Sequence, residues 1–151
     1  MIVHSICRGN AFRSIIAEAY LNSLKFKNLR AISSGTAAAA DRARNLAAYT
    51  ETLELLAKNG IQEFAKTDYG DQLTPSRLAG AGVVICINQR VYDECQRLVG
   101  LPAGTRVWSV ADIGEVGRVP HTEDGKTRYR EAAYLEIVVG ISQLITELSS
   151  P

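Results

Sequence analysis

The 151-residue chain lacks any excess of charge: 17 Lys and Arg stand against 16 Asp and Glu, a formal net charge of +1. Such a balance argues against nucleic acid or a membrane surface as principal partner and leaves any basic character local. Cysteine is scarce and its count is odd, at three. That excludes a disulfide framework and favours a reducing, cytoplasmic compartment. Long hydrophobic runs are missing too. The longest, Leu135 to Ile145, contains Glu136 and Gln143 and is too short to span a bilayer. No basic segment followed by an apolar one opens the chain, so no secretion signal is expected. Histidine occurs only at His4, in an apolar run, and at His121, in a polar one. No metal-ligand cluster is visible, and neither a metal nor another cofactor is expected. Repeats and linkers are absent, so the chain reads as one domain over 1–151, with 46% hydrophobic residues to build its core.

What is present begins at the N-terminus. The apolar run Ile2 to Ile6 reads as a buried strand, and Ile15 to Leu24 as a helix with Ile16, Tyr20 and Leu24 on its core face. Between them lies Cys7-Arg8-Gly9-Asn10-Ala11-Phe12-Arg13-Ser14. A strand delivering a short loop into a helix N-terminus is a geometry that binds anions, through converging N–H groups and the positive end of the helix. Gly9 permits close approach of the backbone to a ligand. Asn10 tolerates left-handed backbone and can hold the loop by side-chain hydrogen bonds. Arg13 offers a planar fork to two oxygens of a tetrahedral oxyanion. A thiol at the mouth of such a nest is favoured as its thiolate. A nucleophile beneath a bound phosphate points to phosphoryl transfer onto sulfur.

These residues resemble the active-site loop of the low-molecular-weight protein tyrosine phosphatases, whose fold also carries thioredoxin-coupled arsenate reductases. The family pattern is roughly V-C-x-G-N-x-C-R-S-P-x-A-E, and this chain reads Ile6-Cys7-Arg8-Gly9-Asn10-Ala11-Phe12-Arg13-Ser14-Ile15-Ile16-Ala17-Glu18. The resemblance implies Cys7 as nucleophile, Arg8 to Ser14 as the phosphate-binding loop, and inorganic phosphate or sulfate as a ligand there. Asn10, Ser14 and Ser33 become its support. Ser33-Ser34-Gly35-Thr36 is similar to the S-A-G-T that braces the loop in this family.

Further along, Leu29 to Ser34 reads as a second strand, and Ala37 to Ala40 as a loop. Leu46, Tyr49, Leu53 and Leu56 follow helical spacing, with Gly60 as the cap. A polar connector follows, from Ile61 to Ser76, with Phe64 and Lys66 where the family often has a histidine and a basic residue. Val83 to Ile87 is a third strand, Gln89 to Leu98 a helix, Arg106 to Val110 a fourth strand, and Arg128 to Leu148 the last helix. Strands alternating with helices make a doubly wound parallel sheet with its site at the carboxyl ends of the strands. The resemblance implies the finer form: an α/β three-layer sandwich with strand order 2-1-3-4.

Attack by cysteine on a phosphomonoester expels an oxyanion that leaves faster when a carboxylic acid protonates it. Trp108-Ser109-Val110-Ala111-Asp112 resembles the W-x-x-x-D-P spacing of bacterial members, with Ile113 in place of proline, which implies Asp112 as the acid. Asp124 is the alternative, and Gly114 to Gly125 is long enough to be a lid. Departures from the pattern bear on specificity. Phe12 stands where many members carry a second cysteine, and Ile113-Gly114 replaces an aromatic pair. Tyr92, Trp108 and Tyr129 are candidates for the pocket wall. Arg8 either favours substrates with additional negative charge or faces solvent. Three functions therefore stand at this point. The first is a metal-independent phosphomonoester hydrolase, a protein-tyrosine phosphatase acting on a phosphorylated protein or a small phosphomonoester. The second is an arsenate reductase with a Cys86/Cys95 relay behind Cys7, and the third a non-catalytic oxyanion binder.

Overall fold

In the computed structural model, which describes residues 1–112 and 122–150, the strand after Met1 becomes the centre of the sheet. Strand β1 (Ile2–Cys7) is flanked by β2 (Arg30–Gly35) on one side and β3 (Ala81–Cys86) on the other, and β4 (Arg106–Val107) lies outside β3. All pairings are parallel, in the order β2-β1-β3-β4. Val3 to Cys7 are buried without interruption, as expected for an inner parallel strand covered on both faces.

Helix α1 (Arg13–Ser23) carries the chain from β1 to β2, and α5 (Gln89–Leu98) carries it from β3 to β4. These crossovers run in opposite directions along the sheet. Right-handed connection therefore puts the helices on opposite faces and opens a crevice at the carboxyl ends of β1 and β3. Cys7 ends β1 at that crevice. The terminal helix α6 (Glu123–Leu148) packs on α1, with Ile137, Ile141 and Leu144 buried. Among the described residues no helix is long and apolar enough to cross a membrane.

The elements differ from sequence expectation at the short helix α4 (Pro75–Leu78), which begins within the expected connector, at three other helices and at β4. Helix α1 is buried nearly all round over its first two turns, and Leu24, expected on its core stripe, is exposed. It is enclosed by the sheet and by α6 and α3 (Leu46–Lys58) rather than lying on a surface. Ala38–Asp41, expected as loop, is the short helix α2. The ladder of β4 ends at Val107. The chain nevertheless keeps alongside the sheet, because the amides of Trp108 and Val110 donate to the Cys86 and Ile87 carbonyls at 2.8 and 3.0 Å. Helix α6 starts five residues early, capped by Thr122, whose hydroxyl accepts from the Gly125 amide at 3.1 Å. Gly60, by contrast, follows α3 with φ 75°, as its capping role requires.

Candidate active site

The loop is built around a residue in the left-handed region. Asn10 has φ 50° and is fully buried. Its side-chain Oδ1 accepts from Lys66 Nζ at 2.9 Å and from the Asp71 amide at 3.0 Å. That leaves Nδ2 facing the Ser14 and Ser33 hydroxyls, each at 2.9 Å. Ser14 Oγ also lies 3.0 Å from Cys7 Sγ, in a hydrogen bond that either group can donate. The Asn10 amide also donates to that sulfur, at 3.3 Å. The sulfur thus sits within hydrogen-bond reach of both a hydroxyl and a backbone amide. Phe12, at the N-cap of α1, supplies no side-chain acceptor. The first amides of the helix are left for an anion.

Glycine acts here by leaving space. A Cβ on Gly9 would lie 2.5 Å from Asn45 Nδ2, so the missing side chain admits Asn45 beside the loop. At Gly35 a Cβ would stand 2.5 Å from the Arg8 carbonyl oxygen and 2.8 Å from the Asn10 amide nitrogen. The loop is pinned to β2 at this point, with the Thr36 amide donating to the Cys7 carbonyl at 3.0 Å and the Ala37 amide to the Arg8 carbonyl at 2.9 Å. Gly35→Ala must push backbone against backbone. We expect it to cost about 1–3 kcal/mol, read as a lower urea midpoint at unchanged m-value, together with loss of turnover. A variant as stable and active as wild type would show that the loop does not need this contact.

Beneath the loop lies a polar layer that the sequence did not reveal. Lys66 Nζ donates to the Ser33 carbonyl at 3.1 Å and to Asp71 Oδ2 at 2.7 Å, in addition to Asn10. Burial pushes the Asp71 carboxyl up, but the hydrogen bond and charge of Lys66, aided by Arg77, outweigh it and hold the group below its ordinary value. Glu18 accepts from the Ser33 hydroxyl at 3.4 Å, and burial pushes it up to about 7 against the pull of Lys66. His4 is pushed down to about 4 by burial and then by the Arg77 charge, so it is neutral. Its Nε2 lies 2.7 Å from Ser34 Oγ, which also accepts from Arg77 Nε at 3.1 Å. The connector from Ile61 to Ser76 thus supplies the loop's inner support. The sequence points to Lys66 there, whereas Asp71, and Arg77 just past the connector, carry no local signal.

Above the loop is a cavity of about 410 Å³ lined by Cys7, Arg13, Phe12, Tyr129 and Asp112, room for an aryl phosphate. Arg13 is 5% exposed, and its Nη1 donates to the Val110 carbonyl at 2.8 Å. Arg8, its side chain 41% exposed, faces Asp41 at 3.6 Å and Glu94 at 3.9 Å. Those carboxylates are shared with Arg44 and Arg90, and Glu94 also accepts from the Thr36 hydroxyl at 2.5 Å. The Arg8 charge is therefore engaged at the rim rather than aimed wholly at solvent. Arg130 and Glu51, 2.7 Å apart, close the far side.

The two candidate acids separate. Asp112 lines the cavity with Cys7. Asp124 lies in the first turn of α6, outside that lining, where a carboxylate suits the positive end of the helix. Of the aromatic candidates, Tyr129 lines the cavity. Trp108 packs against Gly140 of α6, where a Cβ would lie 2.9 Å from its ring. Tyr92, on α5, accepts from Gln96 at 2.9 Å, away from the lining. The Ile113-Gly114 substitution, His121 and most of the expected lid lie outside the described residues. Cys86 and Cys95 are fully buried free thiols with sulfurs 4.0 Å apart, and the Cys95 thiol is pushed up by its hydrogen bond with Cys86 and by burial. Among the described residues no group of His, Cys, Asp and Glu is placed to hold a metal ion.

The model of the family described as "Low molecular weight phosphotyrosine protein phosphatase" matches residues 2–123. Similar solved structures include Wzb of Vibrio vulnificus in complex with benzylphosphonate, 18% identical, with 97% of each chain covered and a TM-score of 0.74. The tyrosine phosphatase Wzb of Escherichia coli K30, in complex with sulphate, is 14% identical over 98% of each chain, with a TM-score of 0.71. The Drosophila arginine phosphatase DARP is 17% identical over 99% of each chain, with a TM-score of 0.66. Likeness at these identities concerns the fold. No curated protein sequence matches the chain.

Proposed function

Because the chain belongs to the low molecular weight phosphotyrosine protein phosphatase family, we propose that it hydrolyses phosphomonoesters through a phosphocysteine on Cys7. The observation that carries this reading is that Cys7 Sγ, hydrogen-bonded to Ser14 Oγ and to the Asn10 amide, shares its cavity with Arg13 and Asp112. The sulfur attacks phosphorus while Arg13 and the loop amides hold the non-bridging oxygens. The bond from phosphorus to the ester oxygen breaks, and Asp112 gives that oxygen its proton. The Asp112 carboxylate then takes a proton from the water that cleaves the S–P bond, releasing phosphate and the thiolate. Phe12 and Tyr129, ring centroids 5.9 Å apart, give the pocket an aromatic side, which supports phosphotyrosine of a protein as substrate. Free thiols at all three cysteines suit a reducing cytoplasm.

The relay reading is disfavoured by the surroundings of Cys86 and Cys95. Exchange requires an accessible thiolate, whereas these two are buried and hydrogen-bonded to each other.

The test is hydrolysis of aryl phosphates by wild type, Asp112→Asn and Asp124→Asn. Nitrophenolate leaves unaided, whereas an unactivated phenol needs a proton in the transition state. With phosphoenzyme formation as the observed step, Asp112→Asn should slow phenyl phosphate about 100-fold or more and nitrophenyl phosphate far less. Asp124→Asn should show no such split. A split in Asp124→Asn alone would move the acid to that residue. An inactive wild type that still binds phosphate would establish the binder instead.

A further inference from the structure

We infer that Tyr129 is a positioning residue for the acid, holding the backbone that carries Asp112 over the phosphate loop; the inference rests on the hydrolase reading. The Tyr129 hydroxyl donates to the Ala111 carbonyl at 2.7 Å, one residue before Asp112. Its ring lies 5.9 Å from that of Phe12, tilted by 36°, and Phe12 immediately precedes Arg13. A single side chain of α6 therefore touches both the loop that holds phosphate and the segment that supplies the proton.

The residue before Ala111 is fixed by other means. The Val110 amide donates to Ile87 at 3.0 Å. The Val110 carbonyl accepts from Arg13 Nη1 at 2.8 Å and from Asn88 Nδ2 at 3.3 Å. Residue 110 is thus tied to the sheet and to the phosphate-binding arginine, and residue 111 is tied to α6. Holding the Ala111 carbonyl stops rotation of the peptide plane that leads into Asp112. The carboxyl is then aimed chiefly by its own torsions. General acid catalysis requires the acid within hydrogen-bond reach of the leaving oxygen, and small misplacements are heavily penalised. A tyrosine suits the task, since its ring packs with few torsions to fix and its hydroxyl reaches a polar partner.

Tyr129→Phe keeps the ring and removes the tether. Its kcat/KM for phenyl phosphate should fall about five- to tenfold, the worth of one hydrogen bond, while nitrophenyl phosphate falls by about twofold at most. Competitive inhibition by inorganic phosphate, measured alongside, reports an intact loop. Because the tether acts through the carboxylate, Asp112→Asn combined with Tyr129→Phe should be no slower on phenyl phosphate than Asp112→Asn alone. Equal slowing of both esters, or losses that multiply in the double variant, would overturn the tether. If Asp112→Asn splits the two esters and Tyr129→Phe does not, the tether alone falls. If Asp112→Asn shows no split, the acid assignment falls and the tether with it.

Discussion

Cys7→Ser is expected to abolish turnover of nitrophenyl phosphate, by at least about a thousandfold in kcat, while leaving competitive binding of inorganic phosphate within a few-fold of wild type. The two halves of that expectation come from different parts of the site. Binding depends on the amides at the start of α1, on Arg13 and on the shape that Asn10 imposes. The Asn10 amide meets the sulfur at 3.3 Å, but the Asn10 side chain is held independently of it by Ser14, Ser33, Lys66 and Asp71. Chemistry, on the proposed reading, depends on the cysteine sulfur as nucleophile, and that sulfur meets Ser14 Oγ and the Asn10 amide. A hydroxyl in the same place ionises far less readily than a thiol, so the attacking lone pair is far less nucleophilic. Kinetics near wild type in the variant would remove Cys7 from the reaction. Phosphate affinity lost in step with kcat would show that the sulfur organises the loop.

Arg13→Lys should be nearly as damaging, lowering kcat/KM by about 100- to 1000-fold, the cost of losing a preorganised donor to developing charge. Charge is retained, so a purely Coulombic role would leave activity largely intact. Two directional functions are lost instead. An ammonium cannot present paired, coplanar N–H groups to two phosphate oxygens. The bond from Nη1 to the Val110 carbonyl also disappears, leaving on that oxygen, among the described residues, the longer contact from Asn88 at 3.3 Å. Phosphate inhibition should weaken together with kcat, which distinguishes this variant from Cys7→Ser. An Arg13→Lys enzyme with unchanged kinetics would show that the guanidinium does not meet the phosphate.

The parts of this site that the sequence displayed are the parts whose physics is local. A strand, a loop with Gly9 and Asn10, and a helix beginning near Arg13 are adjacent in the chain, and each residue type has few alternative explanations there. The spacing from Trp108 to Asp112 was legible as a pattern, although Trp108 itself packs on Gly140 rather than facing the pocket. Lys66 and Asp71 look like solvated residues of a polar connector, and Arg77 like one just past its end. Their meaning arises when the fold packs them against Asn10, Ser33 and Ser34, and no periodicity reports that. Glu18 was visible as a letter in a motif, but its displaced titration is a property of the enclosed layer around it. The start of α6 is a different kind of miss. Thr122 followed by Glu123 and Asp124 is a capping pattern, and Gly125, which reads as a helix breaker, concealed it.

The hydrogen bonds that shape the loop join residues far apart in the chain. Asn10 to Lys66 spans 56 positions, Asn10 to Asp71 spans 61, and Arg13 to Val110 spans 97. Closing such long intervals carries an entropic penalty before any contact forms. The eight-residue stretch from Cys7 to Ser14, cut out as a peptide, would therefore have no reason to adopt the conformation it has in the fold. The loop takes its full set of hydrogen bonds only with the connector and the segment beyond β4 docked. The same order holds in reverse: a partial opening that releases Lys66 or Val110 while the sheet persists leaves a chain that still looks folded by its secondary structure and has already lost its chemistry. The shape of the Cys7 to Ser14 loop in this molecule is a report on completed tertiary assembly.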